Sequence, residues 1–131
     1  MADWQFRCYL VGPDLDVLDE WRIAHADDDA LQAKLDTRLR FLRQQPRDRW
    51  VRPYFDTLDD DCSGLGEVRF EYKNVQYRPI GFSSGKLEFT FVFVAIEKGG
   101  KFVPKNTCKV AQERKTETEK DRNKARDCDS D

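Results

Sequence analysis

The chain has 131 residues, enough for one domain with its own hydrophobic core. Charged residues make up 37%, but nine Phe, four Tyr and three Trp supply a large apolar area, which excludes global disorder. The formal net charge is only −2, the N-terminus does not resemble a signal peptide and no apolar run reaches the length of a bilayer span. The sequence therefore predicts a cytoplasmic protein without a membrane partner.

The first 46 residues predict a strand followed by a pair of helices. Residues 4–10 alternate between apolar and polar side chains, which is typical of a strand. After a turn at residues 12–14, apolar residues recur at helical spacing, and a second such stripe ends before Pro46. The two stripes are expected to pack on the core as a helical hairpin and consist of Leu15, Leu18, Trp21 and Ala24, and then of Leu31, Leu35, Leu39 and Leu42.

Three further strands are predicted after an irregular stretch, residues 46–65. Residues 66–72 alternate cleanly, and residues 75–82 form the next strand, in which Pro79 indicates an edge or a bulge. Residues 87–96 are apolar on both faces, as in a central strand that is covered on both sides. The predicted fold is therefore α+β, with an N-terminal strand, a two-helix hairpin, a three-stranded antiparallel sheet and a C-terminal helix.

The C-terminal residues are polar and rich in good helix formers. We expect a helix that starts at about residue 104 and frays into a disordered end. The chain is accordingly divided into a domain of residues 1–112 and a polar helical extension of residues 113–131.

Cysteine and histidine usage argues against a metal site. The four cysteines are widely spaced without a CxxC pair, and His25 is the only histidine. We expect reduced thiols at all four positions, with Cys8 in the core. The sequence also lacks a P-loop and a GxGxxG fingerprint, and a single histidine far upstream does not support a Ser-His-Asp triad. No metal and no cofactor is therefore predicted.

Positive charge is concentrated on the predicted sheet and on the segment that leaves it. Between residues 69 and 109 the chain has eight basic and only three acidic residues. Such a local surplus indicates a polyanionic partner, of which nucleic acid is the first expectation. The basic residues are Arg69, Lys73, Arg78, Lys86, Lys98, Lys101, Lys105 and Lys109.

Two of these residues, Arg69 and Arg78, are expected to face each other on the sheet. A two-residue turn at residues 73–74 pairs Tyr72 with Val75, and the same register puts the two arginines directly opposite. Like charges in such a position destabilise a sheet, which suggests an anion between the two guanidinium groups.

An alternative explanation for the arginine pair involves carboxylates of the chain itself. Glu67 and Glu71 share a face with Arg69 and would form an ordinary solvated charged face with it. Residue pairing alone does not decide between an anion site and this arrangement.

A second candidate for anion binding is the lysine turn, residues 98–101, whose sequence is Lys-Gly-Gly-Lys. Its glycines allow close approach of a ligand to the backbone. Pro104 suits the first turn of a following helix, whose N-terminus favours an anion. The alternative is an ordinary solvated loop.

The residues of this basic region resemble the RelE/HigB/ParE toxin superfamily, and within it the phage-derived, HigB-like branch. The resemblance covers about residues 50–115. It rests on the order of elements and on GLGEVRFEYKNVQYRPIGF at residues 64–82 and VAIEKGGKFVPKNTCKVAQERK at residues 94–115.

The resemblance implies a small RelE-like toxin of a type II toxin–antitoxin pair that cleaves messenger RNA on the ribosome. The implied chemistry is attack of the RNA 2′-hydroxyl on the adjacent phosphate without a metal. Arg69 and Arg78 would hold the scissile phosphate, and Lys98 and Lys101 would assist with charge or proton transfer. The implied partners are messenger RNA and a helix-turn-helix antitoxin, and the remaining RNA-binding lysines would be Lys73, Lys86, Lys105 and Lys109.

Two other functions remain open at this point. The ParE branch of the same superfamily inhibits DNA gyrase, and a relative of that kind would depend on an exposed helix or tail more than on the arginines. The third hypothesis is a phage-derived nucleic-acid-binding protein without catalysis.

Overall fold

The computed structural model describes residues 2–128, and its main feature is a mixed sheet of nine strands. The strands are β1 (Gln5–Gly12), β2 (Leu15–Asp16), β3 (Phe55–Thr57), β4 (Gly66–Val68), β5 (Phe70–Tyr72), β6 (Val75–Gly85), β7 (Glu88–Lys98), β8 (Lys101–Val103) and β9 (Ala125–Asp127). The helices are α1 (Val17–Ala24), α2 (Asp29–Arg43) and α3 (Thr107–Lys120), and short 3-10 turns lie at Arg47–Arg49, Asp60–Cys62 and Arg122–Lys124.

The predicted three-stranded antiparallel sheet with a separate N-terminal strand is wrong. The main path of the sheet is β2-β1-β7-β6-β4-β3, with β5 beside β6, β8 beside β7 and β9 beside β1. The N-terminal strand is part of this sheet, because β1 runs parallel to β7 from the pair of Gln5 and Glu88 to the pair of Cys8 and Phe91. The four strands β2, β3, β8 and β9 have only two or three residues each, too few for alternation to reveal them.

Both faces of the sheet are covered, with α1 and α2 on one face and α3 on the other. Strand β7 supplies Phe89 and Phe91 to the core under α1 and α2, and Val92 and Ala95 to the core under α3. All four side chains are buried. The prediction of a central strand covered on both sides is confirmed.

The two predicted N-terminal helices are confirmed, with shifted starts. Asp16 caps α1 by accepting hydrogen bonds from the N–H groups of Leu18 and Asp19, so Leu15 lies in β2 and not in the helix. Asp28 caps α2 by accepting a hydrogen bond from the N–H group of Leu31. The predicted leucine stripe of α2 is buried and consists of Leu31, Leu35, Leu39 and Leu42.

The C-terminal residues return to the sheet. Helix α3 begins at Thr107, three residues after the expected start, and it passes through the predicted domain boundary at residue 112. Strand β9 then pairs with β1, and Arg126 of this strand bonds to the buried carboxylate of Asp16. Residues 113–128 therefore pack with the rest of the chain, and the predicted disordered end falls partly on residues 129–131, which lie outside the described residues.

The prediction of reduced thiols is wrong. The structure has two disulfides, Cys8–Cys128 and Cys62–Cys108, although the prediction that Cys8 lies in the core is confirmed. Their partners are 120 and 46 residues apart in sequence, and they meet only because β9 pairs with β1 and α3 packs on the Asp60–Cys62 turn. Sequence spacing cannot reveal pairs that only the fold brings together. Within residues 2–128, no helix combines the length and apolar character needed to cross a membrane.

Candidate functional site

The structure brings Arg69 and Arg78 together at one end of the sheet. The predicted hairpin register is confirmed, since Tyr72 pairs with Val75 and both residues of the intervening turn have positive φ angles. Arg69 lies in a break between β4 and β5, where its N–H donates to the carbonyl of Tyr54. Both arginines then extend toward the same carboxylates.

Two glutamates neutralise the arginine pair. Glu67 accepts a hydrogen bond from Arg69, and its Oε2 lies 3.8 Å from Nε of Arg78. Glu97 accepts from Nε of Arg78 at 2.9 Å and lies 3.9 Å from Nη1 of Arg69. We call these four residues the arginine–glutamate cluster. The alternative in which a carboxylate of the chain pairs with Arg69 is confirmed through Glu67. The cluster is not a solvated face, since Glu67 and Arg78 are buried and Arg69 and Glu97 are only partly exposed.

Arg78 is the most enclosed cation of the cluster. Its side chain is 3% exposed, and its other donors reach the carbonyl of Tyr77 and the side-chain oxygen of Gln76. Because these neighbours already use its donor groups, Arg78 acts as a fixed positive charge under the surface. It is not placed to bind a phosphate by itself.

Burial also changes the protonation of Glu67. Desolvation raises the pKa of its carboxyl group, and the nearby carboxylate of Glu97 adds to this rise. The hydrogen bond from Arg69 and the charges of both arginines lower the pKa, but not enough to restore its ordinary value. The cluster therefore has a carboxylate whose charged form is costly to bury.

An open cleft lies beside the cluster. Its volume is about 330 Å³, and four arginines line it together with a single carboxylate. We call it the arginine cleft, and its lining residues are Arg38, Arg52, Pro53, Arg69, Phe70, Glu71, Gln76 and Arg78. A second, more acidic depression adjoins it, and the two share Arg52 and Arg69. This adjoining depression is also lined by Glu67, Glu97 and Gly100.

Two of the cleft arginines were not found from the sequence. Arg38 extends from α2, donates to the carbonyl of Arg69 and lies with its guanidinium 5.0 Å from the ring centre of Tyr54. Burial lowers the pKa of Arg38. Arg52 comes from the irregular segment and bonds to Asp56, which raises the pKa of Arg52. In the sequence, Arg38 resembles any charged residue beside a leucine stripe, and no periodic pattern marks Arg52.

The lysine turn is a tight hairpin between β7 and β8. Lys98 pairs with Lys101, and Gly99 and Gly100 have φ angles of +58° and +77°. The geometry of the turn therefore explains both glycines without a ligand, as expected for an ordinary loop. Phe102 and Val103 separate this turn from Pro104, and α3 begins only at Thr107, so the expected anion site at a helix N-terminus does not adjoin the lysine turn. Gly100 nevertheless lines the adjoining depression. Lys98 and Lys101 are exposed and are not part of its lining.

The other predicted RNA-binding lysines are scattered. Lys73 lies in the β5–β6 turn, at the same end of the sheet as the lysine turn. Lys86 lies in the β6–β7 turn, eight residues along the chain from Arg78 of the arginine cleft, which places it roughly 25 Å away. Lys105 and Lys109 are exposed at the start of α3.

Comparison of the chain with protein-family models, curated proteins and solved structures gave no match. The resemblance to RelE/HigB/ParE toxins therefore stays a prediction that rests on the residues quoted for it.

The arginine–glutamate cluster predicts a large cost for removing its buried cation. In Arg78→Ala, Glu67 and Glu97 lose a partner, and we expect a loss of about 3–5 kcal/mol in the free energy of unfolding. Arg40→Ala, which removes an exposed arginine of α2, should change this free energy little. Urea unfolding of the three proteins measures the difference, and equal stability of Arg78→Ala and wild type would contradict the role of the cluster.

The raised pKa of Glu67 predicts a specific pH dependence. A carboxyl group whose folded pKa lies above its unfolded value binds its proton more tightly in the folded state, so its contribution to stability falls as the pH rises through the folded pKa. We expect the stability of wild type, relative to Glu67→Gln, to decrease as the pH rises above about 4, the ordinary pKa of a glutamate. Urea unfolding at several pH values checks the slope. Glu71→Gln controls for net charge, and a relative stability that increases with pH would rule out a raised pKa.

Proposed function

We propose that this protein is a toxin of a toxin–antitoxin pair that cleaves messenger RNA and holds the scissile phosphate in the arginine cleft. The observation that carries the proposal is the convergence of Arg38, Arg52 and Arg69 from three separate segments on one open cleft with a single carboxylate in its lining. Guanidinium groups present planar pairs of donors that match phosphate oxygens. No carboxylate other than Glu71 lines this cleft to repel an anion.

The phosphate is proposed to bind between Arg52 and Arg69. These two residues line both the arginine cleft and the adjoining depression, so an anion between them would have Glu97 on its other side. Arg78 then has a positioning role that differs from the direct contact expected from the sequence, because it fixes the Glu97 carboxylate through its Nε.

The proposed reaction is transfer of the phosphate within the RNA strand. The 2′-oxygen attacks the adjacent phosphorus and the bond to the 5′-oxygen breaks, with the departing 5′-oxygen taking up a proton from water. The products are a 2′,3′-cyclic phosphate and a 5′-hydroxyl. Glu97, whose side chain is 27% exposed, is the proposed acceptor of the 2′-hydroxyl proton. Arg52 and Arg69 would stabilise the negative charge that develops on the phosphate oxygens. Lys98 and Lys101 would bind the strand where it leaves the depression.

A second candidate function is nucleic-acid binding without cleavage. The observation that favours it is the pairing of Arg69 and Arg78 with Glu67 and Glu97, which leaves the cluster without net charge. A neutral cluster supplies less stabilisation to a transition state than two free guanidinium groups would. Binding through Arg38 and Arg52 does not depend on that stabilisation.

Cytoplasmic localisation and action at the ribosome with a helix-turn-helix antitoxin belong to the same proposal. Disulfides are rare in the cytoplasm, so the two disulfides of the structure count against this localisation, and the proposal requires that both be reduced in the cell. The C-terminal segment has other attachments that would hold it in place, because β9 pairs with β1 and Arg126 bonds to Asp16 and Asp19.

The thiol state in intact cells tests this localisation. Cells are quenched with acid, and the denatured lysate is then treated with a reagent that alkylates free thiols. We expect most copies of the protein to be labelled at Cys62 and Cys108. A reduced sample of the same lysate gives the full signal. Complete protection of all four cysteines in the unreduced sample would contradict a cytoplasmic protein.

The cleavage proposal is tested by expressing wild type, Arg52→Ala, Glu97→Gln and Arg40→Ala under tight induction and mapping messenger RNA ends by primer extension. Wild type and Arg40→Ala should produce new ends within translated frames. Arg52→Ala should lower the cleavage rate about 100-fold, the usual cost of removing one donor to a developing charge.

The outcomes separate the two candidate functions. If Arg52→Ala cleaves messenger RNA as fast as wild type does, the scissile phosphate does not bind in the arginine cleft. Absence of cuts in every sample, with RNA binding by purified wild type intact, would favour the non-catalytic function. Absence of messenger RNA cuts together with absence of RNA binding would contradict both the cleavage and the binding function.

A further inference from the structure

An exposed aromatic surface continues from the arginine cleft along α2. Phe41 lies one helical turn after Arg38, and its side chain is 36% exposed. The Phe41 ring lies 4.5 Å from the ring of Tyr54, centre to centre, and the guanidinium of Arg38 lies 5.0 Å from the same Tyr54 ring. Phe41, Tyr54 and Arg38 thus form a continuous line of contacts that ends in the cleft.

The position of Phe41 is not explained by the core. Its α2 neighbours Leu39 and Leu42 are buried, whereas the Phe41 ring packs on Tyr54 and leaves part of its surface to solvent. Val51, in the segment that connects α2 to β3, is also 50% exposed. An apolar surface therefore lies beside a cleft that four arginines line.

A cationic groove next to an aromatic ring is the arrangement that binds single-stranded nucleic acid. The groove holds backbone phosphates, and unpaired bases stack on the aromatic side chain. Bases within a duplex are already stacked on each other and cannot reach such a ring. The packing of Phe41 against Tyr54 restricts the ring before a ligand arrives, which lowers the entropic cost of stacking.

We infer that the arginine cleft takes an unpaired RNA strand, with one base stacked on Phe41 while Arg38 and Arg52 hold the neighbouring phosphate. The inference takes RNA as the partner from the proposed function. It adds that the RNA is single-stranded at this site and that Phe41 contacts one of its bases. A protein that docks on Phe41 is the competing occupant, and the arginines of the adjacent cleft favour the polyanion.

The test uses purified full-length protein and fluorescently labelled 2′-O-methyl RNA, which lacks the attacking hydroxyl and cannot be cut. Anisotropy at one fixed salt concentration compares a single strand of about 12 nucleotides, the same strand in a duplex and the same strand with abasic positions. The variants are Phe41→Ala, Phe41→Trp and Arg52→Ala, with Arg40→Ala as the matched control on α2. Circular dichroism verifies that each variant is folded.

We expect wild type to bind the single strand more tightly than the duplex. Phe41→Ala should weaken single-strand binding about 5- to 150-fold, the range that loss of one stacked base produces, and abasic RNA should show a similar loss with wild type. Phe41→Trp should retain affinity, since it keeps an aromatic face. Arg40→Ala should bind as wild type does.

Other outcomes separate the inference from the proposed function. If Phe41→Ala binds the single strand as wild type does while Arg52→Ala loses binding, the cleft binds phosphate but Phe41 does not stack a base. Tighter binding of duplex than of single strand would also overturn it. Loss of affinity in Phe41→Ala together with absence of messenger RNA cuts would support the inference and contradict the nuclease. If wild type binds none of these RNAs, the inference fails, and the mapping of messenger RNA ends alone decides the proposed function.

Discussion

Burial of β7 on both faces is the constraint on which the rest of the structure depends. A strand with Phe89 and Phe91 on one side and Val92 and Ala95 on the other needs two covering layers, and α1 with α2 supplies one while α3 supplies the other. It also needs strands at both edges, which are β6 on one side and β1 and β8 on the other. The end of this strand reaches the candidate site, since Glu97 and Lys98 are its last two residues.

The arginine–glutamate cluster follows from the same packing. Charged side chains under the surface persist only where partners compensate their desolvation, and the cluster achieves this with two cations and two anions. Because the cluster has no net charge, its arginines and the other arginines of the cleft have different roles. Arg78 is a fixed internal charge, whereas Arg52, which has a side chain 66% exposed, can contact a ligand in solution. The basic character that a ligand meets therefore comes from the cleft rim more than from the sheet.

Local patterns predicted the local structure well and the long-range structure poorly. The leucine stripe of α2, the two-sided burial of β7 and the register at Tyr72 and Val75 follow from periodicity and from turn chemistry, which neighbouring residues determine. The parallel pairing of β1, the return of β9 and both disulfides join residues that are far apart in sequence, and a single sequence carries no signal for them. The same limit applies to the site. The hairpin predicted that Arg69 and Arg78 meet, but Arg38 and Arg52 join them only through the packing of α2 and of the segment before β3.

The bond between Cys8 and Cys128 has a mechanical consequence. When it is closed, a covalent ring contains every residue between these two positions, which are 120 residues apart in sequence and have Cα atoms 5.2 Å apart. Tension applied to the chain on either side of the ring then passes through this bond and bypasses the strands, the helices and the arginine cleft between Cys8 and Cys128. It loads only the pairing of Gln5, Phe6 and Arg7, which belong to β1 but lie outside the ring. The reduced chain instead transmits the load through β1 and β9 and unravels from that edge.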